Sequence, residues 1–232
     1  MTLPDKPDVD LVERFFSGTG SSYDFMVNAA TFGIDRLWKR RIIALLQDRP
    51  KRILDLACGT GILTIRLARR FPDSRIVGVE LRDEYLRIAR ARVRRLKLDN
   101  VEFVLSRAED YRCEELYDCV VSSYLAKYAE LPVLTRNTRE LLRPGGLVLM
   151  HDFTYPPTPL LIAVWRLYFV ALRTIGSAFY PAWQTIFNEL PRLIEHSHWC
   201  TEFWRCLQEA GFRDLCRVDL TLYGSALITA RR

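Results

Sequence analysis

Two glycines and two carboxylates are the residues of this sequence whose spacing first indicates chemistry. The stretch DLACGTG, residues 55–61, places Gly59 and Gly61 between a predicted strand and a predicted helix. Glycine there permits a sharp turn and the close approach of a ligand. Glu80 ends the next predicted strand, nineteen residues after Gly61. Because a carboxylate at that position accepts hydrogen bonds from ribose hydroxyls, the pattern predicts an adenosine-bearing cofactor.

The same loop discriminates between classes of adenosine cofactor. The third glycine of a dinucleotide fingerprint would fall at position 64, which is Thr64, and Asp55 adds a negative charge that repels a pyrophosphate. S-adenosylmethionine carries no phosphate, and a carboxylate attracts its ammonium and sulfonium groups. We therefore predict S-adenosylmethionine. A nicotinamide or flavin dinucleotide is one alternative, and an Asp55 that only caps a turn is the other.

The elements that must position these residues alternate along the chain. Strands are predicted over 52–57, 75–80, 101–105, 117–123 and 146–152, with helices over 62–70, 82–97 and 132–142. This alternation is typical of a parallel sheet covered by helices on both faces. A helix over 201–210 and strands over 212–219 and 221–230 follow. Residues 153–199 form an insertion rich in proline and aromatic residues, on the side of the sheet where ligands bind.

Composition narrows the class of protein without selecting a substrate. The chain has 232 residues, of which 49% are hydrophobic and 27% charged, so it can bury a core as one domain. Its net charge of +6 fits nucleic acid, an anionic membrane or an acidic substrate. The six cysteines form no C-x-x-C pair, so we expect reduced thiols in a cytosolic protein and no metal site. The first residues lack the apolar core of a secretion signal.

Three stretches carry a resemblance to a known family. DLACGTG is similar to motif I of class I methyltransferases. The stretches YDFMVNAATFGIDRLWKR (23–40) and LLRPGGLVLMHDFT (141–154) resemble two signatures of the ubiquinone/menaquinone biosynthesis C-methyltransferase family. The likeness runs from about Val12 to the C-terminus and is weak across the insertion. It implies an α/β, Rossmann-like seven-stranded sheet with the last strand antiparallel and a helical insertion after the fifth strand.

The resemblance also implies a division of the chain and a set of cofactor contacts. We expect a single methyltransferase domain over 1–232, with an N-terminal helical cover (1–50), a cofactor-binding core (51–152), a helical substrate or lipid insertion (153–199) and a C-terminal helix and strands (200–232). The expected cofactor contacts are Tyr23, Asp55, Ala57, Gly59, Thr60, Gly61, Glu80, Leu81, Arg107, Ala108, Glu109 and Ser123. Arg107 replaces the family's Asn or Asp, so Ala108 is expected to offer its amide and Glu109 or Asp110 the polar contact.

Four residues at carboxyl ends of strands are candidates for catalysis. Lys127 and Tyr128 stand where the family tends to carry Arg and Asn, His151 replaces an aliphatic residue, and Asp152 matches an acidic position. Methylation of a quinol ring carbon is assisted when the neighbouring hydroxyl ionises, which requires a base or a cation nearby. We predict His151 as the base, directly or through water, and Lys127 as the cation that stabilises the phenolate. A hydrogen-bonded structural role for His151 is the alternative.

The insertion contains the most apolar segment of the chain, LLIAVWRLYFVALR at 160–173. Arg166 interrupts it, so we expect no membrane span. Arg166 and Arg173 lie seven residues apart and share one helix face. The helix is expected to line a tunnel for an isoprenoid tail or to lie in a membrane interface, and a buried packing helix is the alternative. The expected localisation is cytoplasmic, with transient contact to the inner face of the membrane.

The resulting prediction is an S-adenosylmethionine-dependent C-methyltransferase that acts on a lipophilic, prenylated quinol such as demethylmenaquinol. A phospholipid N-methyltransferase uses the same scaffold and is the first alternative. A nucleic-acid methyltransferase is disfavoured because the extra residues are apolar rather than basic. A non-catalytic scaffold that keeps the fold is the last alternative. The oligomeric state stays open, with a homodimer as one option.

Overall fold

Seven strands form one sheet in the computed structural model, which describes residues 9–46 and 49–232. The strands are β1 Arg52–Leu56, β2 Arg75–Glu80, β3 Val101–Leu105, β4 Tyr117–Ser123, β5 Leu142–Phe153, β6 Arg213–Leu220 and β7 Ser225–Arg231. Their order is β3-β2-β1-β4-β5-β7-β6. Strands β1 to β5 pair in parallel, and β7 pairs antiparallel with both β5 and β6. The predicted fold class, including the antiparallel last strand, is confirmed.

Helices cover both faces of this sheet and its carboxyl edge. They are α1 Val9–Phe16, α2 Tyr23–Ala30, α3 Asp35–Ala44, α4 Ile62–Arg70, α5 Asp83–Arg95, α6 Leu131–Leu141, α7 Pro159–Ala171, α8 Ser177–Phe179, α9 Gln184–His196 and α10 Trp199–Glu209. A π-helical turn (Leu172–Gly176) joins α7 to α8, and a 3₁₀ turn (Pro181–Trp183) precedes α9.

Alternation along β1 divides the core into two layers, because successive side chains of a strand point to opposite faces. Ile53 packs with Ile42 and Leu67 of α3 and α4. Leu54 instead belongs to a cluster that contains Phe203 of α10. A third cluster, which includes Phe15 of α1, Met26 of α2 and Phe187 of α9, forms the cover over the carboxyl edge of the sheet. The proposed boundaries of the single domain stay a prediction, and residues 1–8, 47 and 48 of the expected cover lie outside the described residues.

Strand β5 begins earlier than its sequence indicates. The Pro-Gly-Gly stretch predicts a turn before the strand at 146, but β5 starts at Leu142, directly after α6. Leu142 pairs with Tyr117 across a register irregularity in β4. The Gly145 amide also donates to the carbonyl of Arg232, and the Arg232 amide donates to that of Gly146. The C-terminal residue therefore supplies partners that local sequence does not reveal.

Helix α7, the π turn and α8 form one continuous helix from Pro159 to Phe179, 21 residues long. By length and composition alone this helix meets the criterion for a membrane span, and the expectation that it does not span stays a prediction. Arg166 interrupts the apolar run of the sequence without interrupting the helix. No residue of α7 is buried, so the alternative of a buried packing helix is excluded.

Candidate active site

A cavity of about 470 Å³ lies at the carboxyl edge of the sheet, between the strand ends and helices α1, α2, α7 and α9. Many of the predicted site residues line it: Tyr23, Ala57, Gly59, Glu80, Leu81, Arg107, Ala108, Glu109, Ser123, Lys127 and Tyr128. The other predicted residues, Asp55, Thr60, Gly61, His151 and Asp152, are not among its lining residues. The structure therefore brings most of the predicted residues to one place and sets the rest behind the cavity wall.

Glu80 is held rigidly at the end of β2. Its Oε2 accepts a hydrogen bond from the Gly59 amide at 2.9 Å, and its Oε1 accepts one from the Arg82 amide at 3.0 Å. Burial raises the pKa of this carboxyl group, and the amides of Arg82, Gly59 and Leu81 oppose that shift. The carboxylate thus ties the glycine loop to the next strand and presents remaining acceptor capacity to the cavity.

The glycine loop uses left-handed backbone at three positions: Ala57 (φ 56°), Gly59 (φ 58°) and Gly61 (φ 83°). A Cβ at Gly59 would lie 3.9 Å from the rings of both Tyr23 and Tyr85, in the space that faces the cavity. A Cβ at Gly61 would instead come within 3.2 Å of the Cβ of Ala89. Gly59 therefore leaves room for a ligand, whereas Gly61 allows α4 to pack closely on α5.

Asp55 does not occupy the mouth of the site. Its side chain is buried, and Oδ2 accepts a hydrogen bond of 2.6 Å from the hydroxyl of Thr64 in α4. Burial raises the pKa of Asp55 to about 7, and the Thr64 bond and Lys39 oppose the shift. The interpretation of Asp55 as a carboxylate beside the ligand does not fit this geometry. Leu54 and Leu56 point to one face of β1, so Asp55 between them points to the other face, toward α4. There its hydrogen bond with Thr64 holds the first turn of that helix.

Thr60 and Arg92 connect the loop to the cover. The Thr60 hydroxyl donates to Oδ1 of Asp24 at 2.5 Å, and Arg92 approaches Oδ2 of the same carboxylate at 2.5 Å. Arg92 also donates to the Thr60 carbonyl at 3.1 Å. Sequence reasoning assigned Thr60 to the cofactor, so it missed these contacts between α2, α5 and the loop.

The segment after β3 supplies a polar wall. Arg107 lines the cavity and lies 3.6 to 3.9 Å from the carboxylates of Glu109, Asp110 and Glu130. Glu109 is buried, and its Oε1 accepts from the Glu130 amide at 3.1 Å. The Arg107 guanidinium is thus surrounded by carboxylates of the protein. Ala108 and Glu109 remain the residues predicted to contact the cofactor.

Lys127 and Asp152 form a buried ion pair beside the cavity. The ammonium Nζ lies 2.6 Å from Oδ1 of Asp152 and donates to the carbonyl of Tyr124 at 3.2 Å. Nζ also lies 4.5 Å from the centroid of the Tyr128 ring. Burial lowers the pKa of Lys127, and Asp152 opposes that shift. An ammonium carries three hydrogens, so one remains for the ring face or for a ligand.

His151 is fully buried behind Ser123 rather than exposed to the cavity. Its Nδ1 lies 2.8 Å from the Ser123 hydroxyl, and within the described chain its Nε2 is buried without a hydrogen-bond partner. Burial lowers the pKa of His151 well below its usual range, and the positive charges of Lys39 and Lys127 lower it further. Its catalytic role stays a prediction, and in this structure the cavity-lining Ser123 stands between its Nδ1 and the cavity.

Sequence reasoning missed the second buried ion pair of the site. Lys39 donates to Oδ1 of Asp35 and to the Ser123 hydroxyl, both at 2.8 Å. The Tyr124 hydroxyl donates to the same Asp35 oxygen at 2.6 Å. The spacing of four between Asp35 and Lys39 is a signal of a helical pair, but nothing local shows that this face of α3 is turned toward β4.

Aromatic rings line the cavity beside the glycine loop. Tyr23 and Tyr85 meet edge to face with ring centroids 5.2 Å apart, and Phe16 contacts the rings of Tyr23, Tyr85 and Tyr128 at 5.9 to 6.2 Å. Faces of such rings attract cations. Together with the Glu80 carboxylate and the space above Gly59, they fit a positively charged cofactor with a ribose. The described residues contain no group of three or more His, Cys, Asp or Glu side chains suited to a metal ion.

The strand order and the acidic residue at the end of β2 define the fold of an S-adenosylmethionine-dependent methyltransferase. Two solved structures show the likeness. Geranyl diphosphate C-methyltransferase from Streptomyces coelicolor A3(2), in complex with Mg²⁺, geranyl diphosphate and S-adenosyl-L-homocysteine, has a TM-score of 0.63 and 16% identity over 98% of this chain and 89% of that one. The pyocyanin biosynthetic protein PhzM has a TM-score of 0.66 and 18% identity over 95% and 61%.

The family follows from the sequence comparison. The model of the ubiE/COQ5 methyltransferase family matches residues 5–228, so the chain belongs to this family. The ubiquinone/menaquinone biosynthesis C-methyltransferase UbiE of Cronobacter sakazakii (strain ATCC BAA-894) is 32% identical over 160 residues. That match covers 67% of this chain and 64% of the relative, so the chain spans less than two thirds of the length of the curated relatives it matches. The predicted family and its cofactor class are confirmed.

Proposed function

We propose that the protein transfers a methyl group from S-adenosylmethionine to a ring carbon of a prenylated quinol. The observation that carries the proposal is the continuity of the cavity. It extends from Gly59 and Glu80 at the cofactor end to Leu161, Phe169 and Leu190 on helices α7 and α9. An apolar chamber with a few polar groups at one end suits a ring with a long apolar tail. The name of the UbiE relatives supports the same acceptor class.

The cofactor end can hold S-adenosylmethionine with residues of this chain. Glu80 offers carboxylate oxygens to a ribose, Gly59 leaves space beside the loop, and the rings of Tyr23 and Tyr85 favour positive charge. When bound, S-adenosylmethionine supplies an electrophilic methyl group on a sulfonium. The rings place apolar surface beside this end, and a bound ligand that displaces water there would have stronger electrostatic contacts.

Lys127 is the group that we assign to the acceptor oxygen. Its Nζ is buried at the cavity wall, and two of its hydrogens are directed to Asp152 and the Tyr124 carbonyl. The third hydrogen can donate to a phenolate oxygen, which stabilises the ionised ring and raises the nucleophilicity of its carbon atoms. Asp152 holds the ammonium in place and balances its charge when no ligand is present.

Ser123 and His151 form the proton path of the proposal. The Ser123 hydroxyl lines the cavity and touches both Lys39 Nζ and His151 Nδ1 at 2.8 Å. Burial, Lys39 and Lys127 lower the pKa of His151, so the ring is neutral and its Nδ1 can hold the serine proton only transiently. A proton that leaves the acceptor hydroxyl can pass to Ser123 Oγ while the serine proton passes to Nδ1. His151 then acts as a positioning and relay residue.

Incubation of the protein with methyl-labelled S-adenosylmethionine and a total lipid extract tests the proposal. We expect label in the quinone fraction. The variant K127M/D152N keeps the buried site neutral and should lower that label at least about 100-fold, with unchanged calorimetric affinity for the cofactor, as removal of a transition-state contact does. K97M, at an exposed lysine, is the matched control. Label that stays in quinone after K127M/D152N would remove Lys127 from the mechanism.

A phospholipid N-methyltransferase is the second candidate, and the aromatic rings favour it. The rings of Phe16, Tyr23, Tyr85 and Tyr128 could surround an amine headgroup as well as a sulfonium. This reaction needs no phenolate, so K127M/D152N should affect it much less. Label in derivatives of phosphatidylethanolamine, with none in the quinone fraction, would select this function. Either reaction is proposed to occur in the cytoplasm at the inner face of the membrane.

A further inference from the structure

Exposed apolar side chains surround the mouth of the cavity. They come from helix α7, the segment that joins α2 to α3, the start of α3 and the turn between β6 and β7. We call this surface the mouth face and define it by Phe32, Leu37, Leu160, Val164, Leu167 and Leu222. Phe32 is 80% exposed and Leu222 is 76% exposed, and both also line the cavity. Residues that are exposed and also line the cavity mark the place where it opens.

The parts of the mouth face are held together by direct contacts. The Tyr168 hydroxyl of α7 donates to the Ala30 carbonyl at 2.5 Å, and its ring lies 6.0 Å from that of Phe32. On the other side, the Trp38 indole N–H donates to the Thr221 hydroxyl at 2.9 Å. The face is therefore one surface of fixed arrangement around the cavity mouth.

Helix α7 is apolar on both of its sides. Its inner side, with Leu161, Trp165 and Phe169, lines the cavity. Its outer side carries Leu160, 75% exposed, and Leu167, 71% exposed. A helix of a soluble domain normally turns a polar face to water. The outer side of α7 does not, and no described residue of the chain covers it, so an apolar medium outside the protein would stabilise this helix.

The exposed charges on the helical parts of the mouth face are arginines, and Asp219 is an exposed carboxylate near its β6–β7 turn. In residues 25–42 and 153–188 the exposed charged side chains are Arg36, Arg40, Arg41, Arg166 and Arg173. Asp35, the carboxylate within these ranges, is buried against Lys39. Arg166 lies 3.5 Å from Glu195 of α9, which orients it beside the outer side of α7. Apolar side chains bordered by arginines match the boundary between acyl chains and anionic phosphates.

We propose that the mouth face docks on an anionic lipid bilayer, with α7 lying in the interface and the arginines contacting lipid phosphates. A lipophilic ligand then enters the cavity from the membrane without crossing water. The inference concerns membrane attachment and holds whichever acceptor is methylated. A second copy of the chain is a poor occupant, because a symmetric contact through this face would bring ten arginines together. This number is twice the five arginines of one copy.

Helix α7 is placed on the membrane rather than through it. A Cβ at Gly176, in the π turn after α7, would come 2.7 Å from the Phe187 ring, so this turn packs tightly on α9. Crossing the bilayer would separate the helix from α9 and open the cavity. The membrane contact is therefore predicted to be peripheral and reversible.

Flotation of the full chain with vesicles tests the inference. We expect binding to vesicles of phosphatidylglycerol and phosphatidylcholine that weakens as salt rises, and little binding to phosphatidylcholine alone. L167E should lower the partition at least about tenfold, since burying a leucine contributes that much. L116E is the matched control, because Leu116 is an exposed leucine that precedes β4 at the opposite edge of the sheet. R166Q/R173Q should reduce the salt dependence.

Several outcomes would overturn the inference. The wild type could fail to bind vesicles or bind neutral and anionic vesicles equally, or L167E could bind as well as L116E does. Membrane binding that resists alkaline carbonate would indicate a spanning helix instead. A dimer that L167E converts to a monomer without lipid would indicate a second copy as the occupant of the face. Methyl transfer to an acceptor in detergent separates this inference from the proposed function. L167E should keep that activity and lose it on vesicles. Vesicle binding without any quinol methylation would contradict the proposed function alone.

Discussion

Glu80 and Asp55 show how two buried carboxylates near the same loop acquire different tasks. Glu80 lies at the end of β2, where both oxygens accept backbone amides and the group still faces the cavity. Asp55 lies one residue before the end of β1, with its oxygen bonded to Thr64. Position in the strand pleat, rather than residue type, decides which carboxylate a ligand can reach.

Substitution of Glu80 by glutamine tests its assignment to the ribose. A glutamine amide has one acceptor oxygen, so it cannot accept from both the Gly59 and the Arg82 amides and also receive a ribose hydroxyl. We expect the calorimetric affinity for S-adenosylmethionine to fall about 10- to 100-fold, since hydrogen bonds to charged groups contribute about 1.5–3 kcal/mol. E102Q, at an exposed glutamate of β3, should leave the affinity unchanged. Equal dissociation constants for E80Q and wild type would contradict the assignment.

Asp55 predicts an unusual dependence of stability on pH. Its pKa is raised from the ordinary 3.8 to about 7 in the folded protein, so the fold binds this proton more tightly than the unfolded chain does. The corresponding stabilisation is present below about pH 4 and is lost as the pH rises to about 7. A shift of about three units amounts to about 4 kcal/mol. D55N keeps an acceptor for Thr64 and removes the titration.

Urea denaturation at pH 4 and pH 8 measures this effect. We expect the free energy of unfolding of D55N, relative to wild type, to rise by about 4 kcal/mol between these pH values. D73N, at an exposed aspartate, should follow the wild type at both. A difference between D55N and wild type that does not change with pH would show that Asp55 is already ionised in the folded protein at pH 4.

At the scale of residues, the sequence predicted many of the residues that reach the cavity. It did not predict the hydrogen bonds between the side chains behind it. Gly59, Glu80 and Lys127 reach the cavity as their positions at strand ends indicate. The contacts of Asp55 with Thr64 and of His151 with Ser123 depend on which face of each strand is covered. Packing between segments far apart in the chain decides which face is covered, so local residue spacing does not predict these contacts.

At the scale of elements, α3 is the helix whose position depends most on buried charge. Lys39 of α3 reaches both Asp35 and Ser123 of β4, and both members of the ion pair are buried. Burial lowers the pKa of Lys39, and Asp35 opposes the shift. An ion pair that attaches a helix to the sheet in this way orients the helix, but either partner alone is costly.

Substitution of Lys39 by methionine should therefore destabilise the protein strongly. It leaves Asp35 without its partner, and breaking a buried pair costs about 3–5 kcal/mol of unfolding free energy. The double variant D35N/K39M should be less destabilised than K39M. R205M in α10 removes an exposed pair with Glu209 at the same spacing of four and should cost less than about 1 kcal/mol. Similar urea midpoints for K39M and R205M would contradict the role of the buried pair.

The elements themselves could be predicted well where the pattern is local. The predicted β2, β3 and β4 and the helix over 62–70 have the observed bounds. The start of β5 was missed because Leu142 pairs with Tyr117 of β4, and Gly145 and Gly146 bond to Arg232, so these partners lie far away in the chain. The apolar segment at 160–173 lies within a longer helix, Pro159–Phe179, because arginine is a good helix former and Arg166 does not end the helix.

At the scale of the whole molecule, the cover and the sheet are joined through the cofactor end of the cavity. The Asp24 carboxylate of α2 accepts a hydrogen bond from the Thr60 hydroxyl and pairs with the Arg92 guanidinium. The Glu84 carboxylate of α5 accepts hydrogen bonds from the amides of Gly18 and Gly20. These contacts lie beside the glycine loop. A ligand between Glu80 and Tyr23 would therefore contact both the sheet and the cover, and its binding should stabilise them together.

This coupling predicts that the chain unfolds as a single domain. Fluorescence of Trp183 reports on the cover, because its ring packs in the cluster of α1, α2 and α9, and far-ultraviolet circular dichroism reports on the whole fold. A variant that retains only Trp183 should show the same thermal midpoint by both methods. S-adenosylmethionine at about 100 times its dissociation constant adds about 2.7 kcal/mol to the free energy of unfolding. It should therefore raise both thermal midpoints equally. If fluorescence changes first and the cofactor moves only that transition, the cover is a separate folding unit. The division of the chain into one domain would then be wrong, while the fold of the sheet and its membership of the family would stand.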